Sequence, residues 1–94
     1  MRASTYVRAG WTQGAHARRP NKGKTKYLSC AVDDPRAEQW SLLGAMLRAR
    51  LDGEFIASVE KVLAYIPGAD IEKWQDHRDR TKEEVLAVLR KCGM

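Results

Sequence analysis

The chain has 94 residues, 44% of them hydrophobic and 31% charged, with a formal net charge of +5. That length allows one domain, spanning residues 1–94, which buries roughly 60 to 65% of its unfolded surface. This suffices for one core and leaves little for a deep catalytic cleft, and the composition excludes wholesale disorder. The longest apolar stretch, Leu42 to Leu47, falls far short of the roughly 20 residues that span a bilayer. No apolar segment follows Arg2 as a signal peptide would require, so a cytoplasmic protein is expected. Cys30 and Cys92 are the only cysteines, and in a reducing compartment they are expected as unbridged, small, buried side chains.

In chain order, Ala3 to Ala9 reads as the last turns of a short helix. Gly10 is expected in the left-handed position past its end, with Trp11 folding back as the apolar contact. Trp11 to Arg18 alternates loosely, a weak strand signal. Arg19-Pro20-Asn21-Lys22-Gly23-Lys24 is turn chemistry, because proline fixes one dihedral while Asn and Gly tolerate positive φ. Tyr27 to Val32 resumes an extended run, so the stretch predicts a β-hairpin with a basic tip.

Asp34 before Pro35 reads as a helix start. Ala37, Trp40, Gly44, Leu47 and Leu51 then recur at helical spacing, supported by Leu43, with Arg48 and Arg50 in the last turn where the helix dipole favours cations. Asp52 can cap a second helix with an apolar stripe of Phe55, Ile56, Val59, Val62, Leu63 and Ile66, stopped by Pro67-Gly68. Asp70 can start a short helix carrying Ile71 and Trp74, and Asp76 to Arg80 reads as a solvated connection. Thr81-Lys82-Glu83-Glu84 is a capping box opening a final helix that turns Val85, Leu86, Leu89 and Cys92 inward and ends near Gly93. The fold expected is α+β: a small, mostly helical domain of three to four helices packed with one short β-hairpin.

Several of these segments, taken together, form a pattern. Gly10-Trp11-Thr12-Gln13-Gly14, Ala17-Arg18, Trp40-Ser41-Leu42-Leu43-Gly44-Ala45, Trp74-Gln75-Asp76 and Arg80-Thr81 with Glu84-Val85-Leu86 resemble an uncharacterised family of small actinobacterial and actinophage proteins, a domain of unknown function. The resemblance covers most of the chain from Gly10 to Leu89. The chain departs from the family in a shorter helix before Gly10, in Gln75 where Asn is usual, and in Ser41 where a cysteine is frequent. The resemblance implies a compact α+β domain and an origin in a phage or mobile element. It carries no activity, so no catalytic or binding residue is transferred.

Charge supplies the functional candidate. Between Met1 and Val32 there are seven basic residues and no carboxylate, whereas from Asp33 onward ten bases face twelve acids. Arg18, Arg19, Lys22, Lys24 and Lys26 on the hairpin form a candidate surface for an anionic partner. The expected partner is a host protein with an acidic surface. The alternative is the backbone of DNA or RNA, although no helix-turn-helix, zinc-finger or RNA-recognition spacing accompanies the charge. Against both stands the bland reading, a solvated turn that keeps a cationic protein soluble; an enzyme ranks third among the functions.

Catalysis is not expected, since no nucleophile elbow, phosphate loop, paired-histidine zinc motif or dinucleotide fingerprint is present. His16 and His77 stand alone in the sequence, so neither a metal site nor a cofactor is expected. Trp40 and Trp74 are expected in the core, whereas Trp11, within the basic third, is left open to partner contact. Gly44-Ala45 is expected to admit a second helix at close range or to form a groove, which Met46 and Tyr65 would widen if exposed.

Overall fold

The computed structural model describes residues 2–21, 23, 26–49, 55–68 and 70–94, apart from the side chains of Phe55 and Ile56. In chain order these form α1 (Ala3–Ala9), β1 (Ala17–Pro20), β2 (Tyr27–Ser29), β3 (Gln39–Trp40), α2 (Leu42–Ala49), α3 (Phe55–Leu63), α4 (Ile71–Gln75) and α5 (Lys82–Lys91). The domain is a small α+β fold whose described residues form five helices and three strands, one strand beyond the expected hairpin and one helix beyond the expected three to four. The strands make one antiparallel sheet in the order β2-β1-β3.

The hairpin forms, but Arg19 and Pro20, expected in its turn, belong to its first strand: Arg18 lies opposite Ser29, Arg19 opposite Leu28 and Pro20 opposite Tyr27. Its first strand starts only at Ala17. Trp11 instead makes an isolated parallel bridge to Trp40 of β3, at the end of the sheet opposite β2. Gly10 corrects an expectation: its backbone is extended (φ −175°, ψ 125°), not left-handed. Glycine is needed there for proximity, because a Cβ would overlap the Glu38 carbonyl oxygen. The two segments are laced by Trp40 N donating to Gly10 O at 2.8 Å and Thr12 N to Trp40 O at 3.2 Å.

The largest correction concerns Asp34 to Trp40, expected as the first turns of a helix. Asp34 instead closes a turn, its Oδ1 accepting from Arg36 N at 2.8 Å. The chain then runs extended as Glu38 N donates to Arg18 O at 2.9 Å. Sheet partners far away in sequence outcompete the local helical spacing here. Helix α2 begins at Leu42, with the Ser41 hydroxyl accepting from Gly44 N at 2.9 Å, as a serine cap does. Its buried face is Leu42, Gly44, Ala45 and Met46, a phase shifted from the stripe drawn through Trp40 and Leu47. Leu51, Arg50 and the Asp52 cap lie outside the described residues.

The local cap signals hold. Asp70 caps α4 by accepting from Lys73 N at 3.0 Å. Thr81 and Glu84 form the reciprocal capping box of α5. The first turn of α1 has no side-chain cap, and Ser4 N and Oγ donate to Met94 O at 3.1 and 3.0 Å, tying the two ends of the chain together.

The core gathers Tyr6 and Val7 of α1, Ala17, Trp40, Leu42, Ala45, Met46, Val62, Ile66, Ile71 and Val85, Val88 and Leu89 of α5. Tyr6 and Trp40 rings meet at 5.0 Å between centroids. Trp11 and Trp74 are partly buried and pack against this core. Met46 is buried, whereas Tyr65 is 50% exposed. Cys30 and Cys92 are free and half-buried. Among the described residues no helix is long and apolar enough to cross a membrane.

Candidate functional site

Two regions gather polar chemistry, and the first is a cleft between residues 14–16 and α4. Gln75 is its anchor, 1% exposed with every amide hydrogen-bonding position used. Its Oε1 accepts from Trp11 Nε1 at 2.6 Å and Leu42 N at 2.9 Å. Its Nε2 donates to Thr12 O at 2.9 Å and Asp76 Oδ1 at 3.1 Å. Gln13 Nε2 in turn donates to the carbonyls of Gln75 (2.9 Å) and His77 (2.8 Å), and Gly14 N donates to Asp76 Oδ1 at 3.1 Å. The Trp11–Gly14 and Trp74–Asp76 segments therefore recognise each other: these polar residues build the domain. The expected solvated connection after α4 is tied down at both ends, since Arg80 stacks 3.8 Å over the Trp74 ring and donates from Nε to Trp74 O at 2.9 Å.

Gly44 belongs to the same junction. A Cβ there would overlap the His16 carbonyl oxygen, which accepts from Ser41 N at 3.0 Å. The small residue thus admits the backbone before β1, where a second helix was expected.

The cleft encloses about 350 Å³ and is lined in part by His16, Cys30, Ser41, Glu72 and Asp76. His16, alone in the sequence, meets Glu72 in space, Nε2 to Oε1 at 2.6 Å, with both side chains about half exposed. Ser41 Oγ already accepts from Gly44 N. Burial pushes the Cys30 thiol up, as does Asp34, against the opposing pull of Arg19 and Arg36, which keeps it a protonated, weak nucleophile at neutral pH. Among the described residues no group of three or more His, Cys, Asp or Glu is placed to hold a metal ion.

The second region is the basic hairpin. Adjacent strand residues point to opposite faces, and Arg18 and Arg19 separate accordingly. Arg18 turns inward: Nε donates to Thr12 Oγ1 at 2.9 Å and Nη2 to Gln13 O at 3.1 Å. Arg19 faces Asp34, Nε to Oδ2 at 3.9 Å. Arg36, which the charge run did not include, approaches the other oxygen of Asp34 at 3.5 Å. The Asp34 carboxyl is held below the ordinary Asp value, first by the Arg36 backbone N–H and then by the charges of Arg36 and Arg19, against desolvation. Lys26 is exposed and makes no ion pair among the described residues. Lys22 and Lys24 lie outside the described residues. The outer strand β2 also exposes Leu28 and Ser29.

Sequence reasoning missed Glu72 and Arg36, and named Gln75 only within the family pattern, with no role. Each is chemically ordinary in the sequence and gains its role from a residue elsewhere in the chain. Residues 1–93 match a family described as "Family of unknown function (DUF6197)". No curated protein and no solved structure matches the chain.

Proposed function

Because the chain belongs to this family of unknown function, DUF6197, we propose a function from its own residues: a small, non-catalytic binding protein that docks an acidic surface of another protein. The observation that carries the reading is the β1–β2 hairpin. Its second strand, β2, is an edge strand of the sheet, the stretch from Ala17 to Val32 carries no carboxylate, and Lys26 is free of ion pairs among the described residues. Arg19 borders this surface, partly neutralised by Asp34. Lys22 and Lys24 add to it in sequence. Arg18 serves the fold instead, through Thr12 and Gln13.

A docking role needs an accessible, charge-complementary surface on a rigid support, and no positioned reacting group. Free thiols at Cys30 and Cys92 support a reducing, cytoplasmic setting. In this reading the partner is a host-cell protein and the chain is carried by a phage or mobile element, as its motif resemblance suggests.

The test is affinity capture from candidate host lysate with and without nuclease, comparing the wild type with Lys26→Glu and the double variant Arg19→Glu/Lys26→Glu. Nuclease-resistant capture that weakens stepwise across these variants supports the reading. Capture lost on nuclease treatment, with a steep salt dependence in a shift assay on duplex DNA or RNA, assigns the surface to nucleic-acid backbone.

A further inference from the structure

Resting on that reading, we infer that the partner contributes an extended acidic segment, which adds to the sheet as a fourth strand along the free edge of β2.

The register fixes which backbone groups are free. Asn21 N donates to Lys26 O at 2.8 Å and Cys30 N donates to Ala17 O at 3.0 Å. Between these rungs Arg19 stands opposite Leu28. In an antiparallel ladder, directly opposed residues alternate between exchanging hydrogen bonds and pointing their backbone groups away from each other. Lys26, Leu28 and Cys30 therefore face β1. Tyr27 and Ser29 direct their N–H and C=O groups to the outer side. The partners of these two, Pro20 and Arg18, turn the other way, as Glu38 N donating to Arg18 O at 2.9 Å shows.

β2 is the outer strand of the sheet, so its edge offers two donors and two acceptors at strand spacing. A row of this kind is a template for an added strand. Many edges are blunted by proline or by a bulge, whereas Tyr27-Leu28-Ser29 contains neither.

Charge selects the occupant. The hairpin has no carboxylate and Lys26 directly precedes β2, whereas Glu72 and Asp76 share a cleft with Ser29, so an acidic peptide gains attraction at the Lys26 end of the edge while forming its backbone bonds. A second copy pairing edge to edge would bring like charges together, which is destabilising.

The experiment titrates the ¹⁵N-labelled full chain at low salt with a capped hexapeptide of alternating Glu and Val, with its Lys–Val counterpart, and with a Glu–Val peptide N-methylated at every amide, so that neither of its edges can donate. Shifts and slowed exchange at the Tyr27 and Ser29 amides with Glu–Val, and at least tenfold weaker binding of the other two peptides, are expected. Ser29→Pro removes one outward donor and leaves the β1 ladder intact, and is expected to weaken Glu–Val binding at least tenfold with an unchanged circular dichroism spectrum. Equal binding of the N-methylated peptide overturns strand addition whether or not the proline variant folds, while leaving the acidic-docking reading standing. Absence of Glu–Val binding overturns the inference, and self-association abolished by Ser29→Pro assigns the edge to a second copy. Indifference of lysate capture to charge reversal at Arg19 and Lys26 overturns the underlying reading instead.

Discussion

Trp11 and Gln75, 64 positions apart, are joined by a 2.6 Å hydrogen bond from the indole Nε1 to the amide Oε1. The same oxygen accepts from Leu42 N at 2.9 Å, so one buried amide fixes the segment before β1, the start of α2 and the end of α4. Replacing it by an apolar residue of similar size, Gln75→Leu, leaves the Trp11 indole N–H, the Leu42 N–H and the Thr12 carbonyl without this partner. Each orphaned group costs about 1–3 kcal/mol when buried. Gln75→Leu should therefore lower unfolding free energy by at least about 3 kcal/mol, allowing for partial hydration of the outer groups. Gln75→Asn, which keeps the amide one methylene shorter, should fall between it and the wild type. Urea titration decides: a loss below about 1 kcal/mol for Gln75→Leu would show that the junction is held by packing alone.

Glycine substitutions separate close approach from backbone conformation. A Cβ at Gly44 would overlap the His16 carbonyl oxygen, and one at Gly10 the Glu38 carbonyl oxygen. Neither backbone partner can rotate aside like a side-chain tip, so Gly44→Ala and Gly10→Ala should each cost more than about 2 kcal/mol. Gly68 has φ +91° with nothing within 4 Å of a would-be Cβ. Gly68→Ala should cost only the left-handed strain, about 1–2 kcal/mol. A thermal-melt series in which Gly68→Ala is the worst of the three would contradict this order.

The two carboxylates with lowered pKa set an acid-side dependence. Glu84 is held below the ordinary Glu value of 4.5 chiefly by the Thr81 backbone N–H and then by Arg80. Asp34 is held below 3.8 chiefly by the Arg36 backbone N–H. A depressed folded-state pKa adds stability that is complete above the unfolded value and is lost as pH falls through the folded value. Urea midpoints should accordingly be flat from pH 7 to about 5 and decline below the ordinary carboxylate range. Glu84→Gln, which can still cap α5 without titrating, should make that decline shallower. A slope identical to wild type would remove Glu84 from the account.

What could be read in advance follows from how far each interaction reaches along the chain. The Thr81–Glu84 box and the Asp70 cap close within three residues, so their residue types announce them. Trp40 misled the helix assignment because its spacing to Gly44 and Leu47 is helical, whereas its backbone partner is Gly10, thirty residues upstream. The basic hairpin was visible as a charge run, but charge does not encode direction. Strand alternation sends Arg18 toward Thr12 and Gln13 while Arg19 meets Asp34, a division invisible until the register is known. Gln75 entered only through the family pattern, with no role attached: an uncharged residue in a short helix becomes a hub only when Trp11 and Leu42 arrive from other elements.

That division of the arginines gives a last prediction, which isolates fold from docking without any partner in hand. Arg18 makes two charge-assisted hydrogen bonds, at 2.9 and 3.1 Å, that hold residues 12 and 13. Arg18→Met keeps the apolar stem and loses both, which should cost about 1.5–3 kcal/mol. Arg36 is two-thirds exposed, 67%, and its Nε lies 3.5 Å from Asp34. Exposed pairs of this kind are worth little. Arg36→Met and Lys26→Met should change stability by no more than about 0.5 kcal/mol. Denaturant midpoints of the three variants, measured in parallel, check the assignment directly. If Arg18→Met proves as mild as the other two, its guanidinium is free to serve a partner and belongs with Lys26 on the docking surface. If Lys26→Met is as costly as Arg18→Met, the hairpin tip is part of the structural support, and the surface left for an acidic partner contracts to the flank formed by Arg19 and Arg36.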